Sequence, residues 1–214
     1  MTNSPSSDQS ALLAEKLMRT LRDAEFLNEI YPHMFSSGVD EGSLHAYMLS
    51  ALVLVGDRLE FAPVSDAPVS DRLDKMLIGE GAKRPDAIWF TRGRQEIECL
   101  VEFERYTSRS LLPKARNLLI MGKELQPSPH LVILIYWTYT PIPTSALQPT
   151  QAVFAEGFSH PSGIRFHCFA CPSLVIETLV DDQNGRVRIR QFTPRLYVQN
   201  GENKPYIIKR LNAI

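Results

Sequence analysis

Apolar residues recur along the chain in two periods, and the change from one to the other marks out the elements. From Ser10 onward, Leu13, Leu17, Leu21 and Ala24, with Phe26 or Leu27, fall at helical spacing. They predict a helix of about twenty residues with Ser10 as its N-cap and Pro32 closing it. A second stripe, Leu44, Tyr47, Met48, Ala51, Leu52 and Val55, predicts a helix over 40–55, after which Gly56-Asp57 turns the chain into a strand over 59–62. Residues 63–83 mix Pro, Ser, Asp and Gly around a short helical stretch at 70–78 that Gly79 stops, and read as a long decorated connection.

The period then becomes two. Ala87-Ile88-Trp89-Phe90, the turn Thr91-Arg92-Gly93-Arg94 and a strand over 96–105 predict a hairpin. Alternation puts Ile97, Cys99, Val101 and Phe103 on one face and Glu98, Leu100, Glu102 and Glu104 on the other. A helix over 110–125 follows, with Pro113 tolerated in its first turn, and then 131–137, apolar throughout, as a strand buried on both faces. The Pro-rich stretch 140–151 reads as a loop and 164–170 as an apolar strand, while 174–180 is open between helix and strand. Asn184-Gly185 is a turn signal before a strand over 186–192. These elements predict an α/β fold with a central mixed sheet flanked by helices and an added C-terminal β-rich region.

With 214 residues, 44% hydrophobic and 22% charged, the chain suits one domain, here 10–214 after a disordered tail at 1–9. The longest apolar run, 131–137, is far below a membrane span, and the polar first ten residues do not form a signal peptide, so a cytoplasmic protein is expected. Three cysteines, Cys99, Cys168 and Cys171, make no even disulfide framework. His167-Cys168 with Cys171 is half of a zinc pattern that nothing completes, and Cys168 also reads as an ordinary strand hydrophobe.

The net charge of -1 is a cancellation. Residues 1–80 hold 6 Lys or Arg against 13 Asp or Glu, residues 81–185 hold 10 of each, and residues 186–214 hold 7 against 1. Such asymmetry raises the question of an anionic partner. Arg186, Arg188 and Arg190 alternate on one strand face at a spacing suited to phosphate tracking, or they protect an edge strand. Lys204, Lys209 and Arg210 extend the basic end, and Tyr197 and Tyr206 could stack on bases or pack inward.

Asp86 opens one strand of the hairpin while Glu102 and Glu104 end its partner, so three carboxylates can converge at one end of a sheet. Hard cations such as Mg2+ or Mn2+ need oxygens presented in this way. A solvated strand face explains the same spacing, and both readings stay open. Lys83, Arg84, Arg92, Arg94, Arg105, Arg109, Lys114, Arg116 and Lys123 flank the acids and suit phosphate contacts. The five histidines are scattered without a triad arrangement, and no Gly-rich phosphate loop precedes a helix.

Arg84-Pro85-Asp86 opening a strand, Glu102-Phe103-Glu104-Arg105-Tyr106-Thr107 ending the next, and Lys114 on the following helix resemble the core of the PD-(D/E)xK nuclease superfamily, most closely the replication-relaxation type proteins of plasmids and mobile elements. The resemblance covers about 41–138, with 150–214 as a C-terminal elaboration. It implies a restriction-endonuclease-like fold and a Mg2+- or Mn2+-dependent DNA phosphodiesterase, endonuclease-like and linked to mobile-element or plasmid DNA processing. It implies Asp86 and Glu102 as metal ligands. Glu104 stands where the superfamily usually has Lys and becomes a third ligand or base, as in a few restriction enzymes, while Lys114 becomes the charge stabiliser, as in members whose Lys has moved to the helix. Glu41, in competition with Glu29, resembles the superfamily's helical acid. Lys83, Arg84, Arg105, Arg109, Arg186, Arg188 and Arg190 would bind DNA. The alternative is an inactive descendant of the fold that binds nucleic acid or a replication or conjugation partner; a homodimer is also allowed.

Overall fold

The computed structural model describes residues 7–23, 25–26, 28, 31–66, 84–94, 96–125, 129–167, 171–198 and 207–209, and structural statements below concern these. Expectations for the connection at 70–83 including Lys83, for Glu29, Cys168, Lys204, Tyr206 and Arg210, and for the side chains of Lys123 and Lys209, lie outside them.

In chain order the elements are α1 (Ser7–Arg22), a π-helical turn (His33–Ser37), β1 (Val39–Asp40), α2 (Glu41–Arg58), β2 (Phe61–Ser65), β3 (Ala87–Thr91), β4 (Ile97–Arg105), α3 (Leu111–Glu124), β5 (Leu131–Thr138), α4 (Thr144–Glu156), β6 (Phe158–Ser159), β7 (Arg165–Phe166), β8 (Ser173–Gln183), β9 (Arg186–Val198) and β10 (Ile207–Lys209). Eight strands form one curled mixed sheet in the order β1-β9-β8-β5-β4-β3-β2, with β10 also on β9, and β6-β7 pair separately. Only β4-β5 and β5-β8 are parallel; the other pairs in the sheet are antiparallel. α3 supplies the crossover from β4 to β5 that a parallel pair requires.

β5 explains why 131–137 is apolar throughout, since every residue from Leu131 to Thr138 is buried. Its odd positions Leu131, Ile133 and Ile135 join a core under α1 and α2, packed on Leu17, Leu44, Met48 and Leu52. Its even positions Val132, Leu134 and Tyr136 join a second core under α3 and α4, with Leu118 and Phe154. The sheet is therefore sandwiched by helices on both faces.

Several expectations change. α1 begins at Ser7, so Ser10 is inside the helix and not its cap; buried at 1% exposure, its hydroxyl donates to the His130 carbonyl at 3.0 Å. α2 runs on through Gly56-Asp57, and β2 begins only at Phe61. Gly56 is there because space is short: a Cβ would lie 2.9 Å from both Pro63 Cβ and Trp89 Nε1. Ile97 joins the α3 side of the sheet, opposite Cys99, because the β3-β4 register shifts between Trp89 and Phe90 and breaks the alternation.

The Pro-rich 140–151 is not all loop. α4 starts after Pro143, carries Pro149 inside it, and buries Leu147, Thr150, Val153 and Phe154 on one face. The strand expected over 164–170 is only Arg165–Phe166 among the described residues, and 174–180 is strand. Asn184 and Gly185, both at positive φ, turn β8 directly into β9.

Candidate active site

The acids of the hairpin meet a base from the crossover helix. β3 and β4 pair Ala87 with Val101, which sets Asp86, just before β3, beside Glu102 near the end of β4. The Asp86 carboxylate is fixed by the Phe103 backbone N–H, which donates to its Oδ2 at 2.7 Å. Lys114, one turn into α3, places its Nζ 2.6 Å from Glu102 Oε2 and 3.6 Å from Asp86 Oδ2. Glu102 is 1% exposed, which removes the solvated-face reading for that residue.

The electrostatics follow from enclosure. Burial, reinforced by the Asp86 charge and only partly offset by Lys114, pushes the Glu102 carboxyl up to about 8. Burial works against the Lys114 ammonium, but Glu102, Asp86 and Glu104 outweigh it and raise its pKa. Two carboxylates thus share one ammonium, and below about pH 8 a proton on Glu102 makes up the missing positive charge.

That shortage is the test of whether a cation fits. Asp86 and Glu102 offer hard oxygen donors at one place, enough for Mg2+, which is held by one or two carboxylates and fills its shell with water and substrate phosphate. Among the described residues no group of three or more His, Cys, Asp or Glu is arranged to hold a metal ion. Glu104, on the same strand face, accepts from the Arg105 backbone N–H at 2.9 Å and reaches Lys114 only through its field.

His45 is the residue that sequence reasoning passed over. It lies on α2 with Nε2 3.7 Å from Asp86 Oδ1 and its ring 5.6 Å from that of Phe103. Glu41, the helical acid of the resemblance, sits one turn earlier and turns to the surface, where it bonds Arg105 and accepts from the Tyr139 hydroxyl at 2.9 Å. The four-residue spacing of Glu41 and His45 marked a shared face, but nothing local told which of the two meets Asp86.

The basic residues do not all flank the acids: Arg92 and Arg94 lie in the β3-β4 turn at the opposite end of the hairpin, paired with Asp57 and Glu96. Arg84 pairs with Asp66 at 3.8 Å, and Arg109 is exposed in the turn before α3. Arg188 and Arg190 share Asp181, at 3.4 and 3.1 Å, while Arg186 donates to the Gly38 carbonyl. Their even alternation is interrupted: Val180 pairs Ile189 and Leu179 pairs Gln191, so Arg190 occupies a bulge. Tyr197 is not a stacking residue, because it is 3% exposed and its hydroxyl accepts from Gln151.

Two features lie apart. Glu177, 3% exposed, accepts from Tyr136 at 2.8 Å and from the Ile142 N–H, with Arg195 3.9 Å away, a buried network holding the chain after β5 to β8. A cavity of about 310 Å³ opens at the opposite end of β4, lined by Leu13, Lys16, Phe61, Glu98 and His130 among others, with Glu98 and His130 2.8 Å apart. Cys99 and Cys171 are buried free thiols. No described helix is long and apolar enough to cross a membrane.

No family model matches the chain, and no curated protein matches it either. Among solved structures, a crystal structure of the restriction endonuclease BglII complexed with a DNA 16-mer aligns at TM-score 0.33 and 13% identity, over 80% of this chain and 79% of that chain. A likeness this slight settles nothing about function. The mixed α/β sheet flanked by helices stands on the strand order itself.

Proposed function

We propose that the chain is a divalent-metal-dependent phosphodiesterase acting on DNA, with Asp86, Glu102 and Lys114 as its working groups. The observation that carries this reading is the joint approach of Asp86 and Glu102 to one ammonium at the carboxyl ends of the parallel strands. Ligand sites in open α/β sheets favour that end.

Asp86 and Glu102 would hold the cation, and Glu104, which stands apart from them, would serve as a base and not as a third ligand. Bound there, Mg2+ or Mn2+ supplies a polarised phosphate ester and a water of lowered pKa. The Phe103 N–H keeps Asp86 aimed, and burial of Glu102 keeps the local dielectric low. Lys114 offers its ammonium to charge developing on the phosphate oxygens. Arg84, Arg105, Arg109, Arg186, Arg188 and Arg190, together with Lys83, would contact the backbone phosphates.

A second reading is a descendant that binds nucleic acid without cutting it. It is favoured by the 2.6 Å bond that already commits Lys114 to Glu102, with Glu104 in place of a second base. Cleavage in Mg2+, scored on supercoiled plasmid and on a single-stranded oligonucleotide, separates the two. The phosphodiesterase reading expects cleavage that disappears with EDTA and with Glu102→Gln. Tight DNA binding with no cleavage of either substrate in Mg2+ or Mn2+ would leave only the second.

A further inference from the structure

We propose that Tyr139 is a stacking platform for an unpaired base, so that the DNA reaching Asp86 and Glu102 is single-stranded; this rests on the reading of the chain as a DNA-acting protein. Tyr139 follows the last residue of β5 and, at 37% exposure, is the only exposed Phe, Tyr or Trp among the residues described. It is nevertheless held in place. Its hydroxyl donates to Glu41 Oε2 at 2.9 Å, and its ring stands edge-on to Trp137, with centroids 5.7 Å apart and planes at 81°. Trp137 is itself pinned by the Arg105 guanidinium 5.0 Å from its centroid, and Arg105 returns to Glu41. A ring fixed from two sides with surface still open loses little freedom when a base stacks on it.

Its position connects it to the acids. Arg105 and Trp137 are register partners on β4 and β5, so the platform crowns the same strand ends that carry Glu102. Along α2 the platform and the site are one turn apart, because Glu41 bonds Tyr139 while His45 faces Asp86 at 3.7 Å. One helical turn separates the side-chain origins of Glu41 and His45 by roughly 5–6 Å, and the reach of both side chains adds to the gap, so a short stretch of strand joins ring and acids. Arg105 neutralises Glu41, and the exposed Arg109 lies in the turn that follows β4. A phosphate flanking the stacked base therefore meets no uncompensated carboxylate at the platform.

Strandedness follows from what each form of DNA can show to such a ring. A base inside a duplex offers only its edges in the grooves, whereas an unpaired base offers its π-face. Specificity at this corner is thus for an exposed face and not for a sequence.

The test is anisotropy titration of a fluorescein-labelled 12-mer, as single strand and as blunt duplex, in EDTA, with wild type, Tyr139→Ala, Tyr139→Phe and Tyr139→Trp. Wild type should favour the single strand by about tenfold or more. Tyr139→Ala should lose about that factor on the single strand alone, while the Phe and Trp variants stay within about threefold, which separates the ring from its hydrogen bond. Equal loss on both substrates, a preference for duplex, or no binding to either overturns the proposal. Cleavage in Mg2+ of the labelled single strand and nicking of supercoiled plasmid are scored in parallel. Cleavage that ignores Tyr139 leaves the phosphodiesterase reading intact while the platform fails; Tyr139-dependent single-strand binding without cleavage of either substrate does the reverse.

Discussion

Lys114 on α3 donates to Glu102 on β4 at 2.6 Å, across a helix-sheet boundary where Glu102 is 1% exposed and the lysine side chain 23%. Above about pH 8, where Glu102 is ionised, a buried carboxylate that loses its only cation is left uncompensated. Lys114→Met should therefore destabilise the protein by roughly 3 kcal/mol, and Lys114→Met with Glu102→Leu should recover much of that loss. Urea denaturation of the two variants at pH 9 measures both. Equal stability of Lys114→Met and wild type would mean that the pair does not operate as an ion pair.

The Glu102 carboxyl, pushed up to about 8, sets a pH dependence. Between the unfolded value of about 4.3 and the folded value, the native protein keeps a proton that the unfolded chain has released. Stability from this group is thus lost as pH rises through that window, by at most about 1.4 kcal/mol per unit. Lys114 acts at the other end: its raised pKa adds stability that is present below about 10.4 and is lost as pH climbs above it. Melting curves at pH 5, 6, 7 and 8 should show Glu102→Gln gaining on wild type at each step. A constant difference would place Glu102 in the ionised form throughout.

Gly56→Ala should cost stability although alanine is the better helix former. The added Cβ would stand 2.9 Å from Pro63 Cβ and from the indole nitrogen of Trp89, both held in the β2-β3 pairing. A loss of about 1–3 kcal/mol is expected, with a shift in tryptophan emission as Trp89 moves. An unchanged melting temperature would mean that the sheet gives way freely at this contact.

Arg188 and Arg190 share the Asp181 carboxylate, so their phosphate contribution is partly spent. Arg188→Gln with Arg190→Gln should lower the slope of log affinity against log salt by no more than about 2, and Asp181→Asn should steepen it. Fluorescence titration of an oligonucleotide across a salt series reads both. Identical slopes in all three proteins would remove β9 from the DNA surface.

The sequence made much of this layout legible, because β3, β4, α3 and β5 are strongly periodic and follow one another closely. Asp86, Glu102 and Lys114 lie inside that run, so their order and strand faces could be read locally. What was lost depended on distant contacts or broken periods. Ile97 changes sides at a register shift that no residue type announces. α4 hid behind Pro143 and Pro149, because its stripe of Leu147, Thr150 and Phe154 carries a polar member. His45 rather than Glu41 meets Asp86 because of how α2 crosses the sheet end, a tertiary fact with no short-range signature.

Isothermal titration of Mn2+ into the folded protein, wild type beside Asp86→Ala, tests the central claim most directly. Asp86 and Glu102 as a cation site predict one saturable Mn2+ site in wild type at millimolar concentrations or below, and none in an Asp86→Ala protein that still melts cooperatively. No saturable heat in wild type, or the same isotherm from both proteins, would contradict it.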